Sequence, residues 1–364
     1  MKVLILHPDL RDAGGVAGYY RKLDGKFSIT VGHLIIGTRP GERGGVDTVR
    51  RMLSDVRLFI RKIRKENYTL VHVNPSLDPK SLLRDGLFLI IAGLCHKRTL
   101  VFIRGWKDRY ENLIHRHWRW LFRGVFGRAD AFIVLSQAFK RTLASWITNK
   151  PVYSAFTALD DEALAGFDMR SALEARLSAP RWRVLFISRL IKEKGLYETI
   201  DAVGMVSRHL PGVDLLVAGD GPELAPARQY VHRAGIPNVR FLGYVRGEEK
   251  AWVLRHAHLL CFPTYDEGMP NTVIECMGFG LPVITRPVGG LVDFFQDGIH
   301  GYVTDSKEPA VFAGLIRRIV EDKALYRKMA LANYAFAQKN FKPCQAARRL
   351  ESIYEAVSNG NHRL

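Results

Sequence analysis

Short apolar runs alternate with longer stretches of helical spacing along the whole chain. In the first half the runs fall at residues 3–6, 34–36, 70–73, 100–103 and 132–135, and in the second at 184–187, 215–217, 239–242, 259–262 and 282–285. Runs this short and this apolar suit strands buried on both faces, and the helical stretches between them suit crossovers in parallel sheets. The pattern predicts an α/β protein with two doubly wound, Rossmann-like domains of about five strands each. A break at residues 149–180, with Pro151, Asp160, Asp161 and Pro180, separates the halves. The expected division is 1–160, 161–343 and a last helical segment, 344–364, whose Ala347, Leu350, Ile353, Tyr354 and Val357 recur at helical spacing. Only the tail 358–364 reads as disordered.

Composition adds one asymmetry. The 364 residues carry a formal net charge of +18. Residues 1–150 hold 28 Lys and Arg against 12 Asp and Glu, so nearly all of that excess lies in the first half. A basic half beside a near-neutral half points to an anionic partner: a membrane surface, a phosphorylated lipid, an acidic glycan or nucleic acid. A merely solvated basic surface is the plain alternative. Cys95, Cys261, Cys276 and Cys344 form no CxxC pair or Cys/His cluster, which argues against a zinc site or a disulfide framework and for a reducing compartment. The N-terminal run reads as a buried strand rather than a signal peptide. The longest uncharged stretches are about a dozen residues, whereas a spanning helix needs about 20, so the chain is expected to touch a membrane but not to cross it.

In doubly wound sheets ligands bind beyond the carboxyl ends of the strands, so the loops there are where chemistry is expected. The strongest signal is the run Asp266, Glu267, Gly268, Met269, Pro270, Asn271, Thr272, Val273, Ile274, Glu275, between a strand and a helix. Pro270 suits the first helical turn, and Gly278 and Gly280 mark the helix end. The amides of Met269, Asn271 and Thr272 would then face an anion or a sugar hydroxyl. Glu267 precedes the helix and Glu275 lies roughly 7 Å along its axis from Pro270, so the two carboxylates could bind two parts of one extended ligand. A capping Glu and a satisfied helix Glu would read the same way.

A second signal, Arg189 to Gly195 with Lys192 and Lys194, follows another strand. A guanidinium fork and a compact ammonium beside a helix N-terminus suit a diphosphate, though an exposed basic loop would look alike. The third is the loop Asp9 to Tyr19, with Gly14, Gly15 and Gly18. Glycines there let a backbone approach a ligand, but the spacing is not GxGxxG, so a nicotinamide cofactor is disfavoured.

Together these segments resemble the family 4 glycosyltransferases, retaining enzymes of the GT-B fold. The resemblance extends over Gly219, Asp220, Gly221, Pro222, over Phe241 to Val245, and over Gly280 to Thr285. It covers most of residues 184–305 and touches the first half only at the Gly loop and in its strand rhythm. It implies two Rossmann-like domains facing across a cleft, with the last helix returning to the first domain. It implies that Arg189 and Lys194 hold the donor diphosphate, that Glu275 binds the ribose hydroxyls and that Glu267 faces the donor sugar. Gly268, Met269, Pro270, Asn271 and Thr272 would line the sugar and phosphate pocket. Gly14 and Gly15 would approach the phosphates, and the backbone near Tyr244 and Val245 would seat the base. The expected reaction moves a sugar from a nucleotide diphosphate sugar to a hydroxyl of a glycan or lipid-linked acceptor, with retention, in polysaccharide or lipopolysaccharide assembly. No cofactor and no metal is expected, because fixed cations and helix amides can stabilise the leaving diphosphate.

One position departs from the pattern. Similar proteins often carry His next to Gly after the fourth strand, where this chain has Arg104, Gly105 and Trp106. Arg104 is either a surface side chain, or it meets a sugar carboxylate or an acceptor phosphate in the donor region. Two basic stretches complete the reading. Residues 47–67 set seven Arg and Lys around Val49, Leu53, Val56 and Ile60, and residues 112–128 interleave Arg116, Arg119, Arg123 and Arg128 with Trp118, Trp120, Phe122 and Phe126. Each is an ordinary surface helix or a membrane-interface helix. With the charge of the whole half, the expectation is peripheral contact with the inner face of the cytoplasmic membrane by a cytoplasmic protein. The rivals are a GT-B-like nucleotide-sugar epimerase, a glycosidase using Glu267 and Glu275, and a nucleic-acid-binding protein, for which no RRM, KH or zinc pattern is present.

Overall fold

The computed structural model describes residues 1–11, 14–39, 42 and 45–360. The chain divides into two compact units, residues 1–158 with 343–364, and residues 159–342. Asp12 and Ala13 of the Gly loop, and residues 361–364 of the tail, lie outside the described residues.

The first unit opens with β1 (Lys2–His7), α1 (Gly15–Leu23), β2 (Thr30–Ile35), α2 (Val46–Lys65), β3 (Leu70–Val73), α3 (Pro79–Leu94) and β4 (Arg98–Phe102). It continues with α4 (Asp108–Leu113), a π-helical turn (Ile114–Trp118), α5 (Arg119–Phe126), β5 (Ala131–Val134), α6 (Gln137–Trp146) and β6 (Val152–Ser154). The strands form one parallel sheet, ordered β2-β1-β3-β4-β5-β6. Every residue of the inner strands β3 and β5 is buried, while the edge strand β2 is half-exposed, as a sheet covered on both faces requires. The helices start where capping chemistry allows. Asp78 accepts the Ser81 amide ahead of α3, with Pro79 in the first turn, and Ser136 accepts the Phe139 amide ahead of α6.

The second unit holds α7 (Met169–Ser178), β7 (Trp182–Ile187), a 3₁₀ turn (Lys192–Lys194), α8 (Leu196–His209), β8 (Val213–Ala218), α9 (Leu224–Arg233) and β9 (Val239–Gly243). Then come α10 (Gly247–His256), β10 (Leu259–Phe262), α11 (Asn271–Gly278), β11 (Val283–Thr285), a 3₁₀ turn (Gly289–Asp293), β12 (Gly301–Val303), α12 (Pro309–Glu321) and α13 (Lys323–Asn340). Its sheet is also parallel, ordered β12-β11-β10-β7-β8-β9. The chain then returns to the first unit as α14 (Pro343–Ser358). There Glu351 accepts the amides of Ser28 and Ile29, and the Tyr354 hydroxyl meets Nδ1 of the buried His72 at 2.8 Å.

Each sheet has six strands where the sequence pattern predicts five. The additions, β6 and β12, are three-residue edge strands, too short to show a period of their own. Pro270 is corrected as well: it is the N-cap residue (φ −74°, ψ 89°), and α11 starts one residue later, at Asn271. The stretch 112–128 is not one helix, since the π turn interrupts it. In the stretch 47–67, Phe59 and Ile63 are buried, but Val49 and Leu53 stand exposed. Among the described residues no helix is long and apolar enough to cross a membrane.

Candidate functional site

In the second unit the strand order reverses between β7 and β10, neighbours whose registers pair Leu259 with Val184 and Leu260 with Leu185. The loops following these two strands therefore emerge side by side at the point where open α/β sheets bind ligands. They are the Arg189–Lys194 segment and the Asp266–Thr272 segment.

Glycines let these loops approach. Gly195 has φ +77°, and a Cβ there would lie 2.5 Å from the Pro263 carbonyl oxygen. Only glycine takes both the left-handed conformation and that contact. The 3₁₀ turn before it delivers Lys194, whose Nζ donates to Glu267 Oε1 at 2.7 Å and to the Asp266 carbonyl at 2.9 Å. An ammonium has three donors. The third donates to Thr264 Oγ1 at 3.5 Å, a long contact that an incoming oxygen can displace. Arg189 is exposed, and its guanidinium makes no hydrogen bond or ion pair with another described residue. The Gly219–Gly221 segment supports the same loop from β8: a Cβ at Gly219 would fall 1.8 Å from the Ser188 carbonyl oxygen.

The Glu267 loop is held from two sides. Thr272 Oγ1 donates to the Ile187 carbonyl at 3.2 Å, tying the start of α11 to the end of β7. The Gly290 amide donates to the Gly268 carbonyl at 2.8 Å. The first turn of α11 closes with the Val273 amide on the Pro270 carbonyl, so the amides of Asn271 and Thr272 precede the helix's internal ladder. Further along α11, Glu275 is buried, and its Oε2 accepts from Lys250 Nζ at 2.6 Å. Burial pulls the Lys250 ammonium down, but the Glu275 carboxylate beside it outweighs this and the net shift is upward. Tyr244 is exposed and Val245 buried. Met269 and Pro270 are buried.

In the first unit, Gly14 caps α1 in an extended conformation, and a Cβ there would meet nothing within 4 Å. Packing therefore does not demand glycine at 14, and the space above it is open. Beside Gly15 sits Arg104, just beyond β4. Its guanidinium carbon lies 4.1 Å from the Tyr19 ring centroid and 4.6 Å from that of Phe102, and Nη2 is 3.5 Å from the Gly15 carbonyl. Nε and Nη1 are sealed from solvent without a hydrogen-bond partner. Burial lowers the Arg104 pKa, and Tyr19 and Tyr20 offset part of that. Arg104 is thus a half-buried cation without a counter-ion among the described residues rather than a surface side chain. Its charge, after burial itself, helps hold His72 neutral, at about 3.

Several partners were not visible in the sequence. Lys250 looked like an ordinary charged residue of α10. Gly289 (φ +52°) follows β11, and its Cβ would lie 2.1 Å from the Glu267 carbonyl oxygen; a glycine pair after a strand was the available signal. Tyr265, whose hydroxyl donates to Glu198 and whose ring lies 4.5 Å from the Arg286 guanidinium, braces the same loop.

Two family models match the chain, "Glycosyltransferase Family 4" over residues 18–160 and "Glycosyl transferases group 1" over residues 174–336. A D-inositol 3-phosphate glycosyltransferase of Corynebacterium kroppenstedtii is 30% identical over 189 residues, which cover 49% of this chain and 42% of that one. A putative teichuronic acid biosynthesis glycosyltransferase, TuaC of Bacillus subtilis, is 26% identical over 246 residues, 61% of this chain and 59% of that one. The chain thus spans about half the length of the curated relatives it matches. The crystal structure of HepE from Anabaena in complex with UDP superposes with a TM-score of 0.71 over 98% of this chain and 100% of that one, at 17% identity. With both halves matched in order and two six-stranded parallel sheets, the chain belongs to the family 4 glycosyltransferases and has the GT-B fold.

Proposed function

We propose that the protein transfers a sugar from a nucleotide diphosphate sugar to a hydroxyl of a glycan or lipid-linked acceptor, with retention at the anomeric carbon. The observation that carries this reading is the meeting of Lys194 with Glu267 at the switch point between β7 and β10. A cation whose third donor is held only by a long contact to Thr264 stands there beside the carboxylate and the first amides of α11. In this reading Arg189 and Lys194 bind the diphosphate, and their charge stabilises the leaving group as the sugar–oxygen bond breaks. No divalent metal is required for that role. Glu267 orients Lys194 and faces the donor sugar. Glu275, held by Lys250, accepts the ribose hydroxyls, and the backbone at Tyr244 and Val245 seats the base. The acceptor hydroxyl attacks from the face the diphosphate leaves, and the departing phosphate oxygen takes its proton. Uridine is the base to try first, because HepE was solved with UDP. Assembly of a surface polysaccharide is the setting, in line with the teichuronic acid relative.

The test is a thermal-shift screen against nucleoside diphosphates and their sugars, with and without magnesium. A ligand that binds the folded state raises Tm according to its concentration relative to Kd. One nucleotide should stand out without metal, and its shift should vanish in Glu275→Ala and Lys194→Ala. No shift from any nucleotide sugar would refute the reading. Release of an isomerised nucleotide sugar without acceptor would make the protein an epimerase instead.

A further inference from the structure

The first unit carries an apolar groove that the donor site does not use. It lies between α3 and α5, has a volume of about 320 Å³, and is walled by Leu82, Leu83, Leu87, Trp118, Leu121 and Val125, among other apolar side chains. On α3 the wall positions recur every three or four residues, so one helix face is given over to it. Gly86 lets the two helices approach, because a Cβ there would sit 2.9 Å from Val125 Cγ1. Among the described residues nothing in the unit covers the groove: Leu83 is 72% exposed and Leu121 44%. A continuous apolar surface left open in this way marks an interaction site.

Two neighbouring features say what the occupant is. The groove's rim is the π turn and the start of α5, where residues 115–121 are all exposed. That run sets Arg116 and Arg119 among Trp118, Trp120 and Leu121, the mixture that suits a membrane–water interface with anionic headgroups. At its other end the groove shares Pro79 with a second pocket of about 630 Å³, walled by both apolar and charged residues. Lys80 and Lys107 line that pocket, both exposed and without an ion pair among the described residues; Asp78 lines it too, its carboxylate accepting the Ser81 amide as the cap of α3, so the lysines outnumber it two to one. Its floor is Ser76 and Gly105, joined by a parallel bridge, and Gly105 is the residue after Arg104. A hydrocarbon path, two cations and a strand-end site therefore follow one another within the one unit.

We propose that the α3–α5 groove holds the hydrocarbon chain of a membrane lipid phosphate, that Lys80 and Lys107 take its phosphate, and that its far end reaches the strand ends at Gly105 and Arg104. This rests on the glycosyl-transfer reading and deepens it, since the acceptor hydroxyl then belongs to a glycosylated lipid phosphate rather than to a free glycan. The groove's low polarity excludes a sugar, and the unpaired lysines favour a phosphate over a neutral headgroup.

The experiment uses the full chain and dodecyl phosphate below its micellar concentration, compared with inorganic phosphate and with dodecyl maltoside, all read by thermal shift. Dodecyl phosphate should bind at least about tenfold more tightly than either control, because only it supplies both chain and charge. The double variant Leu83→Asp, Leu121→Asp changes two exposed side chains and should lose that binding. Lys80→Ser with Lys107→Ser should weaken it about tenfold while sparing dodecyl maltoside. Flotation with vesicles of phosphatidylcholine and phosphatidylglycerol should capture the parent protein and not the Asp variant. Binding of dodecyl phosphate no tighter than inorganic phosphate, or equal capture of the Asp variant, would overturn the proposal. The nucleotide-diphosphate shift, measured on every variant, keeps the two readings apart. Its persistence when lipid binding fails sinks only the lipid site, and its absence when dodecyl phosphate binds sinks only the donor reading.

Discussion

Lys194 and Glu267 stand 73 residues apart in sequence and 2.7 Å apart in space. Their side chains are 15% and 18% exposed, so the pair is neither a solvated surface bridge nor a sealed one. Lys194→Ala should lower kcat/KM by about 10²-fold or more, the typical loss when one preorganised donor to developing charge is removed. Turnover kinetics with the best nucleotide sugar checks this. Unchanged kinetics would take Lys194 out of the site.

Lys250 and Glu275 form a second pair, with Glu275 the more deeply buried. Lys250→Met removes the ammonium that donates to that carboxylate. The expected cost is about 1–2 kcal/mol, less than for a sealed pair because Lys250 keeps 29% exposure. Nucleotide affinity should fall with it, as the Glu275 carboxylate loses the ammonium that holds it in place and accepts hydroxyls less well. Calorimetry with the nucleoside diphosphate, beside denaturant unfolding, measures both. Full affinity in the variant would show that Glu275 does not need its lysine.

Arg104 makes the opposite prediction for stability. A half-buried guanidinium with two unpartnered nitrogens is a strain that binding sites tolerate and cores avoid. Arg104→Ala should therefore leave Tm unchanged or raise it, while transfer falls about 10²-fold. A drop in Tm with normal turnover would make Arg104 a packing residue.

Gly289→Ala tests the brace behind Glu267. The position has φ +52°, and its Cβ would lie 2.1 Å from the Glu267 carbonyl oxygen. The substitution should cost more than about 1 kcal/mol and weaken donor binding, because the loop must move. Normal donor affinity in a destabilised variant would show that the brace serves the fold alone.

His258 gives the second unit a predictable response to acid. Its Nδ1 accepts the Arg183 amide at 3.0 Å and its Nε2 faces the Arg176 carbonyl at 3.1 Å, so the ring is neutral with the proton on Nε2. Burial pushes it down to about 4 from 6.5. Between those values the unfolded chain binds a proton that the folded chain refuses. Stability is therefore complete above about pH 6.5 and declines as pH falls toward 4, by up to about 3 kcal/mol. His258→Gln should flatten the fall of Tm across that window. An equal slope would assign the acid response elsewhere, with His72 the next candidate.

The strand rhythm, the two-fold division and the three candidate loops after strands were legible in the sequence because each depends on residues a few positions apart. A buried strand declares itself within four residues, as at β3 and β5, and the glycine, proline and carboxylate run before α11 is contiguous. Even there, locality reached only so far: the edge strands β6 and β12 passed unseen, and Pro270 fell one position outside the helix assigned to it. Tertiary structure alone decided the partnerships. Strand order sets β10 against β7 and so brings Glu267 to Lys194, and only the folded second unit places Lys250 on Glu275. Only packing seals two nitrogens of Arg104, and only the helix pair α3 and α5 opens a groove. Pairings across tens of residues follow from which strands lie adjacent in a sheet, and no local period encodes that adjacency.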